Sequence, residues 1–79
     1  MKFGLKILPK PEVLDTQGRA VQSTLERQGF DLQGCHVGRY IVLEVVEDDP
    51  QRAKETATAM AEKGLYNPLI EDYELEAIL

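Results

Sequence analysis

A chain of 79 residues, 43% hydrophobic and 29% charged, has the length and composition of one globular domain, 1–79, and not of a disordered segment. Fourteen acidic residues against nine basic give a net charge of −5, which repels phosphate backbones and argues against a nucleic-acid binder. A lone Cys35 and a lone His36 exclude an internal disulfide and the usual structural zinc sites, and no apolar run approaches the ~18 residues of a membrane span.

The N-terminal stretch is interrupted by lysines and carries no cleavage-like site, so the cytoplasm is the expected location. A core in a chain below ~80 residues rarely supplies more than ~3–5 kcal/mol. Without disulfides or metal, one remaining source of stability is association with another chain.

In chain order, Phe3, Leu5 and Ile7 alternate with Lys2, Gly4 and Lys6, the period-two pattern of a half-buried strand that Pro9 and Pro11 end. Asp15 is placed to cap a helix over about 16–28, with Ala20, Val21, Thr24 and Leu25 at helical spacing. Gly29 suits a left-handed stop, with Phe30 folding back on the helix end. Gly18 is the odd residue inside that helix, costing ~1 kcal/mol against alanine unless backbone approaches closely there. A short strand is expected over Gln33–Val37, then a two-residue turn at Gly38-Arg39 with glycine first, the type II′ arrangement. Tyr40–Glu47 is the strongest strand pattern, with Ile41, Leu43 and Val45 on one face. Asp48-Asp49-Pro50 reads as cap and first helical residue of a second helix, about 50–63, striped with Ala53, Ala57, Met60 and Ala61. Asn67-Pro68 makes a turn into a last strand, Leu69–Ile78.

The order β-α-β-β-α-β predicts an α+β, ferredoxin-like βαββαβ domain: a four-stranded antiparallel sheet with two helices on one face. The first and last strands then neighbour each other, and Lys2 and Lys6 share a sheet face with Glu74 and Glu76. Val21, Leu25, Val37 and Met60 join Phe3, Leu5, Ile7, Ile41, Leu43, Ala57, Tyr73 and Leu75 in the expected core.

Residues suited to catalysis do not converge. Cys35 and His36 are neighbours on a predicted strand and point to opposite faces, so they do not make a nucleophile and base. Glu71, Asp72, Glu74 and Glu76 are strung along one strand, where a hard cation wants converging oxygens. Glu47, Asp48 and Asp49 lack the glycine and spacing of a calcium loop. Single glycines leave no phosphate-binding loop, and the open sheet face lacks the stacking aromatics and basic surroundings that RNA needs. Composition and spacing lead to an interaction or structural module, with no catalytic, cofactor or metal residue of its own.

Several segments go further: Pro11-Glu12-Val13-Leu14-Asp15 with Gly18 and Ala20-Val21; Leu25 with Gly29-Phe30; Val37-Gly38-Arg39-Tyr40-Ile41 with Leu43-Glu44; and Asn67-Pro68-Leu69-Ile70-Glu71-Asp72-Tyr73 with Glu74-Leu75-Glu76. In order, spacing and length the set resembles the PurS-type small subunit of phosphoribosylformylglycinamidine synthase. The resemblance implies the βαββαβ fold, dimers or a dimer of dimers, and no catalytic residues on this chain. It implies a subunit that joins a glutaminase to a large synthetase, with ATP and magnesium on the large partner, and that helps ammonia pass between them. The reaction implied turns formylglycinamide ribonucleotide, glutamine and ATP into formylglycinamidine ribonucleotide, glutamate, ADP and phosphate.

Contact with those partners is expected at Gly38, Arg39 and Tyr40, at Asn67, Pro68, Glu71, Asp72 and Tyr73, and at Gly18. Self-association is expected through Val42 and Val46, which leave apolar area on the face away from the helices. The rivals from other classes are a ferredoxin-like regulatory domain that binds a small metabolite and a small enzyme of acylphosphatase type.

Overall fold

A computed structural model describes residues 1–78. Three antiparallel strands form the sheet: β1 (Lys2–Pro9), β2 (Arg39–Glu44) and β3 (Glu71–Ile78), in the order β2-β1-β3. Two helices accompany it, α1 (Thr16–Arg27) and α2 (Pro50–Met60), and α2 runs on into a wider turn at Ala61–Leu65. The first and last strands are neighbours, with Leu5 opposite Leu75 and Lys6 opposite Glu74. The lysine–glutamate face forms as the charges require: Lys6 Nζ reaches Glu76 at 3.3 Å across the strands.

The core lies between the sheet and α2. Phe3 and Val45 pack with Ala53 and Ala57, and Leu5 and Ile7 pack with Ala61. Alanines at i, i+4 and i+8 put only methyl groups between helix and sheet, so the backbones come close and the strand side chains fill the gap. Leu5 is completely buried.

The predicted fourth strand does not form: residues 31–38 are irregular and the sheet has three strands. The reason is visible at Gly38. A type II′ turn needs positive φ at its first central residue, yet the positive-φ glycines are Gly29 and Gly64. Gly38 instead presses on β1, where a Cβ would overlap the Ile7 carbonyl oxygen. The chain therefore enters β2 without turning back, and no hairpin carries 33–37 to the free edge of β2.

The same difference moves α1. None of its residues joins the core clusters, and its one buried residue is Gly18. Val21 is 43% exposed, Leu25 half-buried and Met60 exposed, against their predicted burial. Residues 15–37 make an arm of their own, in which α1 lies on the returning segment. Asp15 Oδ1 accepts from Gly18 N at 2.8 Å, Asp15 Oδ2 accepts from Val37 N at 2.9 Å, and Gln22 Nε2 donates to the Leu32 carbonyl at 3.3 Å. Gly18 is the contact point, since a Cβ there would overlap the Cys35 carbonyl oxygen. Gly29, at φ 97°, ends α1 as expected, and Phe30 N bonds back to the Leu25 carbonyl at 3.2 Å. The molecule is 49 × 27 × 14 Å with a radius of gyration of 15.8 Å, against about 12 Å for a compact chain of this length.

Candidate partner-binding surface

Most of the sequence-predicted contact residues meet at the end of the sheet where β1 finishes, β2 begins and β3 begins. Arg39 is the tie. Its guanidinium donates to Glu71 through two nitrogens, at 2.8 and 3.1 Å, and to the Leu65 carbonyl at 2.9 Å. Glu71 Oε1 also accepts from Asn67 N at 2.8 Å. The Asn67 side chain then accepts from Leu69 N at 3.0 Å, and its carbonyl accepts from Ile70 N and Glu71 N. This is an Asx turn locked to a two-nitrogen ion pair. The Arg39 side chain and the Asn67 amide hold the Glu71 carboxyl below its ordinary range.

The turn has a consequence for shape. With its backbone groups satisfied, it holds Pro68 and Leu69 outward, Leu69 being 83% exposed. Beside it a cleft of about 260 Å³ runs between Pro9, Leu14, Thr16, Arg39, Ile70 and Glu71. Leu14 is 65% exposed at this cleft. A pre-ordered turn with projecting apolar side chains loses little entropy when a partner covers it.

The remaining candidates fall elsewhere. Tyr40 lies on the open sheet face and donates to Glu76 Oε1 at 2.7 Å. Its ring end crosses Gly4, where a Cβ would overlap the hydroxyl. That bond to Glu76 raises the Tyr40 pKa, while Tyr40 and Lys6 together lower that of Glu76. Asp72 accepts from Lys10 Nζ at 2.6 Å, which raises the lysine pKa. Tyr73 faces the core, packs at a tilt of 59° against Tyr66 with ring centroids 4.6 Å apart, and has its pKa raised by burial first and by Glu62 second. Gly18 belongs to the arm and serves its internal packing. Val42 is half-exposed on the open face, and Val46 is 96% exposed beyond the end of β2.

Cys35 and His36 sit in the returning segment of the arm, with His36 Nδ1 3.9 Å from Asp15 Oδ2. Among the described residues no group of three His, Cys, Asp or Glu side chains is placed to hold a metal ion, and no helix is long and apolar enough to cross a membrane.

Sequence reasoning missed two functions. Asp15 does more than cap α1, because its second oxygen holds the returning segment; nothing local signals a partner 22 residues on. Gly4 interrupts a strand pattern, and such a glycine does signal close approach, here by Tyr40.

A family model described as phosphoribosylformylglycinamidine (FGAM) synthase, PurS, matches residues 2–78. The chain belongs to the PurS family. A Synechocystis relative, the PurS subunit of phosphoribosylformylglycinamidine synthase, is 37% identical over 68 residues, which is 85% of this chain and 68% of that one. The solved PurS of Methanocaldococcus jannaschii superposes with a TM-score of 0.80 at 32% identity, covering 95% of this chain and 92% of that one. It is described as one of the subunits of formylglycinamide ribonucleotide amidotransferase in the purine biosynthetic pathway. A chain in the structure of PurLQS from Thermotoga maritima superposes with a TM-score of 0.90 at 28% identity, covering 98% of this chain and 95% of that one. The PurS family supplies a subunit of FGAM synthase, a ligase of purine biosynthesis.

Proposed function

We propose that this chain is the non-catalytic bridging subunit of its FGAM synthase. It joins a glutaminase subunit to a large synthetase subunit and keeps their two sites in register while ammonia passes from one to the other. The observation that carries this reading is the locked turn at Asn67–Glu71. Arg39, Glu71 and Asn67 spend their polar groups on each other and present Leu69 and the adjoining cleft as a rigid, partly apolar face. The likeness to a chain of the Thermotoga maritima PurLQS structure supports the choice of partners.

ATP, magnesium and the ribonucleotide belong on the large subunit in this reading, and glutamine is cleaved on the glutaminase. This chain contributes geometry. Positioning two sites and excluding water between them are sources of rate that need no reacting group. The chain also pairs with itself, as a dimer or a dimer of dimers, because its small core and exposed apolar residues leave burial to be gained.

Reconstitution of the synthetase and glutaminase with and without this chain tests the bridge. Omission lowers the glutamine-driven rate at least tenfold and leaves the rate with free ammonia within about twofold, as expected when positioning is what is lost. A full glutamine-dependent rate from the two large subunits alone overturns the bridging role.

A further inference from the structure

We infer that Arg39 and Tyr40 are positioning residues: they select one register of β3 out of three that the rest of the sheet accepts, and so fix where the Asn67–Glu71 turn stands. The inference rests on the reading of that turn as the partner-facing surface, and it names what holds the turn in place.

The first observation is a degenerate charge ladder. Shifting a strand by one residue turns its buried side chains to the wrong face, but a shift of two keeps every face. Asp72, Glu74 and Glu76 lie on the open face of β3, with Glu74 opposite Lys6. A shift of two brings Asp72 to Lys6 in one sense and Glu76 in the other, so the lysine meets a carboxylate in all three registers. Tyr73, Leu75 and Ala77 share the core side, so each register also buries apolar groups. Yet a shift of two carries the turn at the head of β3 by ~7 Å, enough to miss a partner.

The second observation is a pair of ties that skip a strand. β1 lies between β2 and β3, which sets those two ~10 Å apart. Arg39 and Tyr40 are consecutive on β2 and point to opposite faces, and both reach across β1 to a carboxylate of β3. Arg39 stands level with Ile7 and takes Glu71, level with Pro9; Tyr40 stands level with Lys6 and takes Glu76, level with Gly4. The two diagonals run in opposite directions along β1. Gly4 makes the second one possible, since a side chain there would occupy the place of the tyrosine hydroxyl.

Together the ties reject both shifts. In the first, Leu69 takes the place of Glu71 opposite Pro9, and Glu71 lands opposite Ile7, whose buried side chain stands between it and Arg39. Arg39 alone opposes this shift, because Glu74 then lies opposite Gly4 and satisfies Tyr40. In the second, Ile78 takes the place of Glu76 opposite Gly4 and Glu71 passes the end of β1, so both ties are lost.

Cross-strand NMR contacts in the full-length protein, read at the partner of Leu5, test the inference. The unaltered chain shows Leu5 opposite Leu75 alone. Arg39→Met adds a second set, with Leu5 opposite Tyr73, in roughly a tenth of molecules or more. Tyr40→Phe alone keeps the single register, and joining it to Arg39→Met adds a third set with Leu5 opposite Ala77. Arg39→Lys restores an ion pair and suppresses the second set, whereas a merely structural role would loosen the sheet without new partners. Glu71→Gln keeps an acceptor for the Asn67 amide, is expected to show the second set as well, and serves where Arg39→Met does not fold. Leu5–Leu75 contacts alone in these variants overturn the inference. In reconstituted FGAM synthase, Arg39→Met lowers the ratio of glutamine-driven to ammonia-driven rate about threefold or more. A shifted register with that ratio unchanged leaves the register selection standing and overturns the turn as the docking surface.

Discussion

The body of the molecule and its arm are built from the same kinds of residue and reach different ends. In the body, Leu5 and Ile7 stand on the central strand, flanked on both sides and packed under Ala61, and they lose nearly all contact with water. In the arm, Val21 and Leu25 stand on a helix capped at both ends, and one is exposed and the other half-buried. The body is held by burial. The arm is held by a few directed bonds, those of Asp15 above all, which fix its internal shape without hiding its apolar surface. A segment can thus be fully formed locally and still lack the burial that makes a fold stable, and that shortfall marks where another chain belongs.

The comparison breaks most easily at Leu5. Leu5→Ala should cost the body about 2–5 kcal/mol in urea unfolding, because a fully buried side chain leaves a cavity the strands cannot close. Val21→Ser, made in the arm and measured where chains are dilute, should stay within about 0.5 kcal/mol. Equal losses from the two would mean that α1 packs on its own sheet.

Gly18→Ala comes next. Alanine favours a helix by ~1 kcal/mol, but here its methyl group meets the Cys35 carbonyl. Overpacking of this kind costs ~1–3 kcal/mol and should win. Faster amide exchange across 15–37, with β1 unchanged, is the expected result; a stabilised arm would show that the two backbones part without cost.

The smallest effect is one of pH. Bonds from the Gly18 and Val37 amides lower the Asp15 pKa in the folded arm, against a weaker opposing push from burial. A group lowered in this way stabilises fully above its unfolded pKa of about 3.9 and ceases to do so as pH falls through the lower folded value. Protection of the Gly18 and Val37 amides should therefore fade below about pH 4, and Asp15→Asn should abolish that dependence. The Leu5 amide, in the central strand, should keep its protection over the same range.

How much of this was legible in the sequence divides along the same line. Strands β1 and β3, their adjacency, helix α2 and both helix starts follow from period, caps and paired charges, all of which act within a few residues or along one face. The predicted 33–37 strand and the predicted burial of Val21 failed, because both depend on whether one turn closes, and Gly38 lacks the positive φ that the pattern Gly-Arg suggested. A glycine can be kept for a close approach as well as for a turn, and the sequence does not distinguish the two. At the candidate surface, Arg39, Asn67 and Glu71 were each visible from their place at element ends, but the ion pair that joins them spans 32 residues and needed the strand order first. Tyr40, Asp72 and Gly18 were visible too, and the structure sends each to a different place.

The acidity of β3 bears on how this chain behaves in bulk. An eight-residue strand at a sheet edge is a template on which further chains could add without limit, and such growth ends in fibres. Four carboxylates on that strand, three of them tied to Arg39, Lys10 and Lys6, crowd acidic groups together whenever two copies try to stack, which disfavours growth without a covering element. The guard is chemical and not steric, so it holds only while the carboxylates stay ionised. Glu71 and Glu76, whose bonds to Arg39, Asn67, Tyr40 and Lys6 hold their carboxyls below the ordinary range, keep their part of that guard furthest into acid.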